Sequence, residues 1–441
     1  MSHVKIQVFI GNIIYWHGSK KSEIIVLQNG FVTVQGKSIV SIGTEFNIQC
    51  MASDFKLNID ADVEINRLTD SQILIPGLID AHVHAPQYPN AGLGYDKALL
   101  EWLDCYTYKL ESQYKDLDFA RAVFDRIVRK TLDCGTTTAC YFASLFSDAS
   151  LILADSCINH GQRAFVGKVS MTKSPLADYV ETEEECVANV IKFVNDIISR
   201  NEDLVKPIIT PRFALSLNMN EMAELGRIAA NSDLHIQTHV SENREEVELV
   251  RDIFNLSYAE VYDETSLLTK KTILAHGIYL TDDELKLISN RGSSIAHCPE
   301  SNTCLKSGLC DVKRLHSFGV NVALGSDVSG GPLPSIIRAM RSALDVSVHL
   351  SFQNENYEPL TYREAFYLGT LGGAKALGID DRVGSFEVGK EFDALIVDMA
   401  TGSSSCDYLV PCDPLELLQK FIYLGDDRNV LKVYVSGKCV K

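Results

Sequence analysis

The stretch Ile73-Leu-Ile-Pro-Gly-Leu-Ile-Asp-Ala-His-Val-His84 carries an apolar run into two histidines set two residues apart. Side chains alternate along a strand, so His82 and His84 share a face and both imidazoles can point at one ion. Seven further apolar runs follow: Thr136–Phe142, Arg163–Ser170, Pro207–Leu215, His235–Glu242, Thr272–Gly277, Ser293–Pro299 and Asn321–Asp327. Helical patterns lie between them, and that alternation marks βα units around a parallel sheet. Eight units predict an α/β fold in which residues 73–383 form a (β/α)8 TIM barrel, a better fit than a doubly wound sheet.

The intervening helices have legible starts. Thr182 with Glu185 three residues on forms a capping box, followed by an apolar stripe of Val187, Val190, Ile191, Val194, Ile197 and Ile198. Thr281 with Glu284 opens another, with Leu285 and Ile288 inward and Gly292 suited to a left-handed C-terminal turn. The flanks read instead as short strands: Gly30–Ile42 broken by a turn at Gln35–Ser38, then Phe392–Val397 and Val430–Val435. Residues 1–72 and 384–441 are therefore expected to make one small, β-sandwich-like composite domain.

Composition narrows the function. A barrel takes up roughly 250 residues as one unit, so 441 residues suit one large domain and a small one. A net charge of −17 disfavours nucleic acid and anionic membranes as partners, because both would repel the chain. With no run of 18 apolar residues and no basic, then apolar, N-terminus, the expectation is a cytosolic protein acting on a small molecule. The 12 cysteines form no CxxC pair and read as buried small hydrophobes, with no role assigned to Cys298, Cys304 or Cys310.

The chemistry gathers at one end of the barrel. His239, His276, His297 and Asp327 fall near the ends of the fifth to eighth runs, so five of the 11 histidines occupy C-terminal strand ends, where barrel enzymes build their sites. Imidazoles with a carboxylate suit zinc or ferrous iron, with one position left open for water. The expected ligands are His82, His84, His239 and Asp327, holding one metal per subunit. A two-metal site would need a bridging anion, such as a modified lysine ending the fourth strand, but Lys206 precedes that run. A bound metal lowers the pKa of its water to about 7, which supplies a nucleophilic hydroxide. Glu242, three residues beyond His239, is the expected proton shuttle, Asp327 the acceptor of the water proton, and His276 a hydrogen-bonding partner of the nucleophile. His297 is expected to be supporting or structural. The HExxH, P-loop and PCxxC elements are missing from the sequence.

Pro76–His84 with these later His, Glu and Asp positions resembles the amidohydrolase superfamily. More narrowly, the chain resembles the guanine deaminase family through HVHAPQY (82–88), GTTTACYF (135–142), GQRAFVGKV (161–169), TPRF (210–213), HIQTHVSENR (235–244), SFEVGKEFDA (385–394) and YLGDDRNV (423–430). That resemblance implies hydrolysis of guanine to xanthine and ammonia, zinc as the metal and a homodimer. It also implies a purine pocket in which Gln87 and Arg212 hydrogen-bond the base and Phe213 lies against its ring. The family's pattern is broken at Glu300, where Asn is usual, at Gly331-Pro332-Leu333-Pro334, and at Tyr106–Lys109, which lacks a proline. Two alternatives stay open: an aminohydrolase for another purine, a pterin or a triazine ring, and a barrel retained as a non-catalytic scaffold.

Overall fold

The computed structural model describes residues 6–18, 23–49, 62–176 and 178–441. Five strands precede the barrel: β1 (Ile6–His17), β2 (Glu23–Gln35), β3 (Ser38–Gly43), β4 (Val63–Arg67) and β5 (Gln72–Pro76). The barrel consists of β6 (Leu78–His84), β7 (Thr136–Phe142), β8 (Arg163–Gly167) with its continuation β9 (Val169–Ser170), β10 (Val205–Pro211), β11 (His235–Val240), β12 (Thr272–His276), β13 (Ser294–His297) and β14 (Asn321–Leu324). Each pairs in parallel with the next, as the alternation with helices predicts. The chain just past β14 closes the seam against β6 by backbone bonds at the rim, and the start of β6 is held by a bond to the end of a later helix. At the rim, Asp327 N–H donates to the His82 carbonyl and His84 N–H to that of Val328, at 2.9 and 3.1 Å; at the base, Ile79 N–H donates to Gly369.

The lower interior is filled by Ile79, Ala81, Cys140, Phe165, Ile208, Ile273, Ala296 and Ala323, and plugged by Ala374, Leu377 and Val383. Gly373 is needed there because a Cβ would stand 2.8 Å from the Ile79 side chain. A packed floor leaves only the upper rim open to a ligand.

The last strands, β15 (Ala394–Asp398), β16 (Val430–Val435) and β17 (Lys438–Cys439), join those of the N-terminal segment in one eight-stranded sheet, ordered β17-β16-β15-β5-β1-β2-β3 with β4 beside β1. The opening stretch is thus shared by two sheets. Its first half, β5, pairs with β15 and β1, and the first barrel strand begins at Leu78 rather than Ile73. Gly77 separates the halves and packs so closely on Thr137 that a side chain would overlap it. Sheet and barrel are also tied by buried Arg163 at the start of β8. It donates to both carboxylate oxygens of Asp393, at 3.1 and 3.0 Å, and to Glu391 at 2.8 Å.

Both expected capping boxes form, at Thr182/Glu185 and Thr281/Glu284, and Gly292 ends its helix at φ 74°. The apolar stripe of the first helix is narrower than its sequence suggests. Cys186, Val190, Phe193, Val194 and Ile197 are buried, whereas Ile191 and Ile198 are exposed. A 100° step per residue carries those two past the edge of the contact face. Cysteine burial also holds only in part: Cys105 and Cys439 are exposed, Cys304 and Cys412 partly so, and Cys50 lies outside the described residues. No helix among the described residues is long and apolar enough to cross a membrane.

Candidate active site

The strand ends bring His82, His84, His239, His276 and Asp327 to one point. Ligand atoms of His82, His84 and Asp327 lie within 4.8 Å of one another, as do those of His82, His239 and His276. Asp327 Oδ1 stands 3.1 Å from His82 Nε2 and 3.5 Å from His84 Nε2, and its Oδ2 3.8 Å from His276 Nε2. His84 and His239 turn their Nε2 atoms toward each other at 3.1 Å. Backbone geometry at this end is special: Ser241, His276 and Asp327 all have positive φ, at 48°, 74° and 46°. That region is uncommon for residues other than glycine, Asn and Asp, and Ser241 and His276 adopt it here while buried.

Partners outside the cluster orient the rings. His239 Nδ1 donates to the Arg212 carbonyl at 2.5 Å, which leaves Nε2 with a free lone pair. His276 Nδ1 likewise meets Asn302 Oδ1 at 2.8 Å. Burial, with neighbouring imidazoles, pushes the pKa of His84 and His239 well below the usual histidine value, so both are neutral. Burial alone would raise the pKa of Asp327, but the surrounding histidines hold it far below the carboxylate range. His82 Nε2 is buried and faces the Asp327 carboxylate. Buried imidazole nitrogens converging on a buried carboxylate form a donor set that fits a divalent cation.

Above this cluster lies a pocket lined among others by Gln87, Trp102, Arg212, Phe213, Glu242 and Leu305. Glu242 Oε2 is 3.3 Å from His276 Nε2 and its Oε1 3.4 Å from Ser307 Oγ. Burial, with the charges of Asp327 and Glu246, raises its pKa well above the usual carboxyl value. It plays no part in starting the next helix, which Asn243 and Glu246 cap. On the other wall, Arg212 is buried and forked on Glu111, at 2.5 and 3.2 Å, with its guanidinium 4.9 Å from the Tyr108 ring centroid. Gln87 Nε2 donates to the same Glu111 at 2.9 Å.

The amidohydrolase family model matches residues 73–440. Guanine deaminase of Mus musculus is 48% identical over 384 residues, 86% of this chain and 85% of that protein. Guanine deaminase of Dictyostelium discoideum is 41% identical over 431 residues, 94% and 96% of the two chains. The structure of guanine deaminase from C. acetobutylicum with guanine bound in its active site superposes with a TM-score of 0.91 at 32% identity, covering 99% of this chain and 100% of that one. This chain belongs to the guanine deaminase branch of the amidohydrolase family.

As an amidohydrolase it is a metal-dependent enzyme. The departures from the family pattern take concrete forms. Glu300 turns to Arg338, at 2.7 and 3.1 Å, and away from the cavity. In the altered loop, Gly331 N–H closes on the Asp327 carbonyl at 2.7 Å. Tyr108, from the altered segment after Trp102, forms the Arg212 face. His297 is fully buried, without a hydrogen-bond partner among the described residues, and burial with His276 lowers its pKa to about 3. Sequence reasoning missed two residues here. Glu111 sits in an irregular helical segment whose sequence shows no periodicity. Cys298, given no role above, brings its thiol within 4.8 Å of ligand atoms of His276 and Asp327; its place two residues past Ala296, an inward position on β13, could have signalled this.

Proposed function

We propose that this protein hydrolyses guanine, with water entering and ammonia leaving at the amino-bearing ring carbon to give xanthine. The observation that carries the reading is one cavity, bounded by a cation-ready His/Asp cluster on its floor and by an amide, a guanidinium and the Phe213 ring on its wall. A planar base with carbonyl and ring nitrogens is suited to those partners. The guanine named for the C. acetobutylicum structure supports the same substrate.

In this proposal His82, His84, His239 and Asp327 hold one zinc ion, with ferrous iron compatible with the same donors. When bound, the metal supplies an acidified water as nucleophile. Asp327 takes the proton of the attacking water, and Glu242 delivers protons to the ring nitrogen and to the departing amine. His276, 3.3 Å from Glu242, hydrogen-bonds the attacking oxygen. Gln87 and Arg212 bond the base, and Phe213 stacks on it. Residues 73–383 act as the catalytic unit, and 1–72 with 384–441 as the composite one. The working form is a cytosolic homodimer.

The test is ammonia release from guanine, adenosine and cytosine by purified protein with metal content measured. Turnover of guanine alone is expected; activity on either other substrate without guanine turnover ends this assignment. Glu242→Gln is expected to keep the metal and lose turnover, and a near-normal rate would remove Glu242 from the proton route.

A further inference from the structure

Glu111 is a buried carboxylate that touches no part of the metal cluster, yet every polar residue on the base-facing wall leans on it. Its Oε2 accepts from Arg212 Nη1 at 2.5 Å and from Tyr179 Oη at 2.8 Å; its Oε1 accepts from Gln87 Nε2 at 2.9 Å and from Arg212 Nη2 at 3.2 Å. Glu111 and Arg212 are 2% and 3% exposed. All four acceptor directions of the carboxylate are thus filled by donors from three separate segments.

Two consequences follow from this geometry. Arg212 is held charged against the cost of burial by Glu111, and its guanidinium plane is fixed by a two-pronged pair on one edge and the Tyr108 ring on one face. Gln87 is also locked, because its Nε2 donates to Glu111 while its Oε1 accepts from Ser329 N–H at 3.3 Å. An amide pinned at both ends has one orientation, so one remaining N–H and one remaining lone pair are presented side by side. That pattern complements a ring edge with adjacent C=O and N–H, while the guanidinium demands an acceptor.

We infer that Glu111 is a positioning residue that sets base specificity by fixing Arg212 and Gln87 together, an inference that rests on the guanine reading above. It acts through those two side chains and does not reach the substrate. The experiment compares guanine kinetics of the wild type, Glu111→Gln, Arg212→Gln and the double variant, with metal content measured for each. Glu111→Gln keeps the shape but turns an NH2 group toward donors. It is expected to lower kcat/KM about 100-fold, as displacing an orienting group does, with the loss carried mainly by KM and the metal retained. Because Glu111 works through Arg212 as well as Gln87, the double variant is expected to lose clearly less than the product of the two single losses. Multiplying losses, a fall in kcat with KM unchanged, or loss of metal from Glu111→Gln would overturn the inference while leaving the guanine reading intact. Glu111→Asp, which keeps the charge, is expected to recover at least part of the KM and guards against a variant that fails to fold. Absence of guanine turnover in the wild type would instead sink the reading itself, and this inference with it.

Discussion

Replacing Arg163 by Met would test how firmly the terminal sheet is fastened to the barrel. The side chain keeps an unbranched apolar stem but loses the guanidinium and its three charge-assisted hydrogen bonds, two to Asp393 and one to Glu391. Burial alone would raise the pKa of Glu391, but Arg163 and Arg382 more than reverse that and bring it down from 4.5 to about 2. A depression of that size corresponds to roughly 3 kcal/mol. Roughly half belongs to Arg163, since Arg382 keeps its own pair with Glu391 at 2.7 Å. The bonds lost by Asp393 add about 1.5 kcal/mol, for a total near 3 kcal/mol, the lower end of the range for breaking a buried ion pair.

Urea unfolding followed by tryptophan fluorescence reads this loss, because Trp16 lies on β1 of the terminal sheet and Trp102 lines the cavity. With Trp102→Phe as background, Trp16 is the sole tryptophan and reports the sheet. The pH dependence has a fixed sign. A carboxylate whose folded pKa is depressed stabilises fully above about 4.5 and loses that contribution as pH falls toward about 2. Arg163→Met should flatten that decline. A loss below about 1 kcal/mol, or an unchanged slope between those pH values, would refute the reasoning.

Asn302→Leu removes the acceptor that orients His276 and should lower guanine turnover about 10- to 100-fold with secondary structure unchanged; equal rates would show that the ring needs no such support. Gly373→Val forces a Cβ to 2.8 Å from Ile79, and overpacking of this kind should cost about 1–3 kcal/mol, read as a lower urea midpoint. Thr182→Ala removes one capping box and is expected to cost about 1 kcal/mol; a midpoint indistinguishable from wild type would argue that the helix is held by packing alone.

Much of the site is legible in the sequence because barrel strands place chemistry at their ends. Histidines at 82, 84, 239 and 276 close apolar runs, and period-two alternation tells which of them face inward. Capping boxes were equally readable, since a Thr and a Glu three residues apart make a local, self-contained signal. The boundary at Gly77 was not readable, because β5 and β6 are both apolar and the place of β5 in the terminal sheet depends on a partner more than 300 residues away, Leu395 on β15. Glu111 stayed hidden for the same reason: its meaning comes from Arg212, 101 positions along the chain. Ile191 and Ile198 were misplaced because an apolar stripe on a sequence has no width until a neighbouring surface gives it one.

The seam between the first and last barrel strands has a further consequence. Its rim bonds are made by the backbone of His82, His84, Asp327 and Val328, so the ring of strands closes through three of the residues whose side chains gather at the candidate site. A chain emerging from the ribosome can therefore not complete this rim until residue 328 is free.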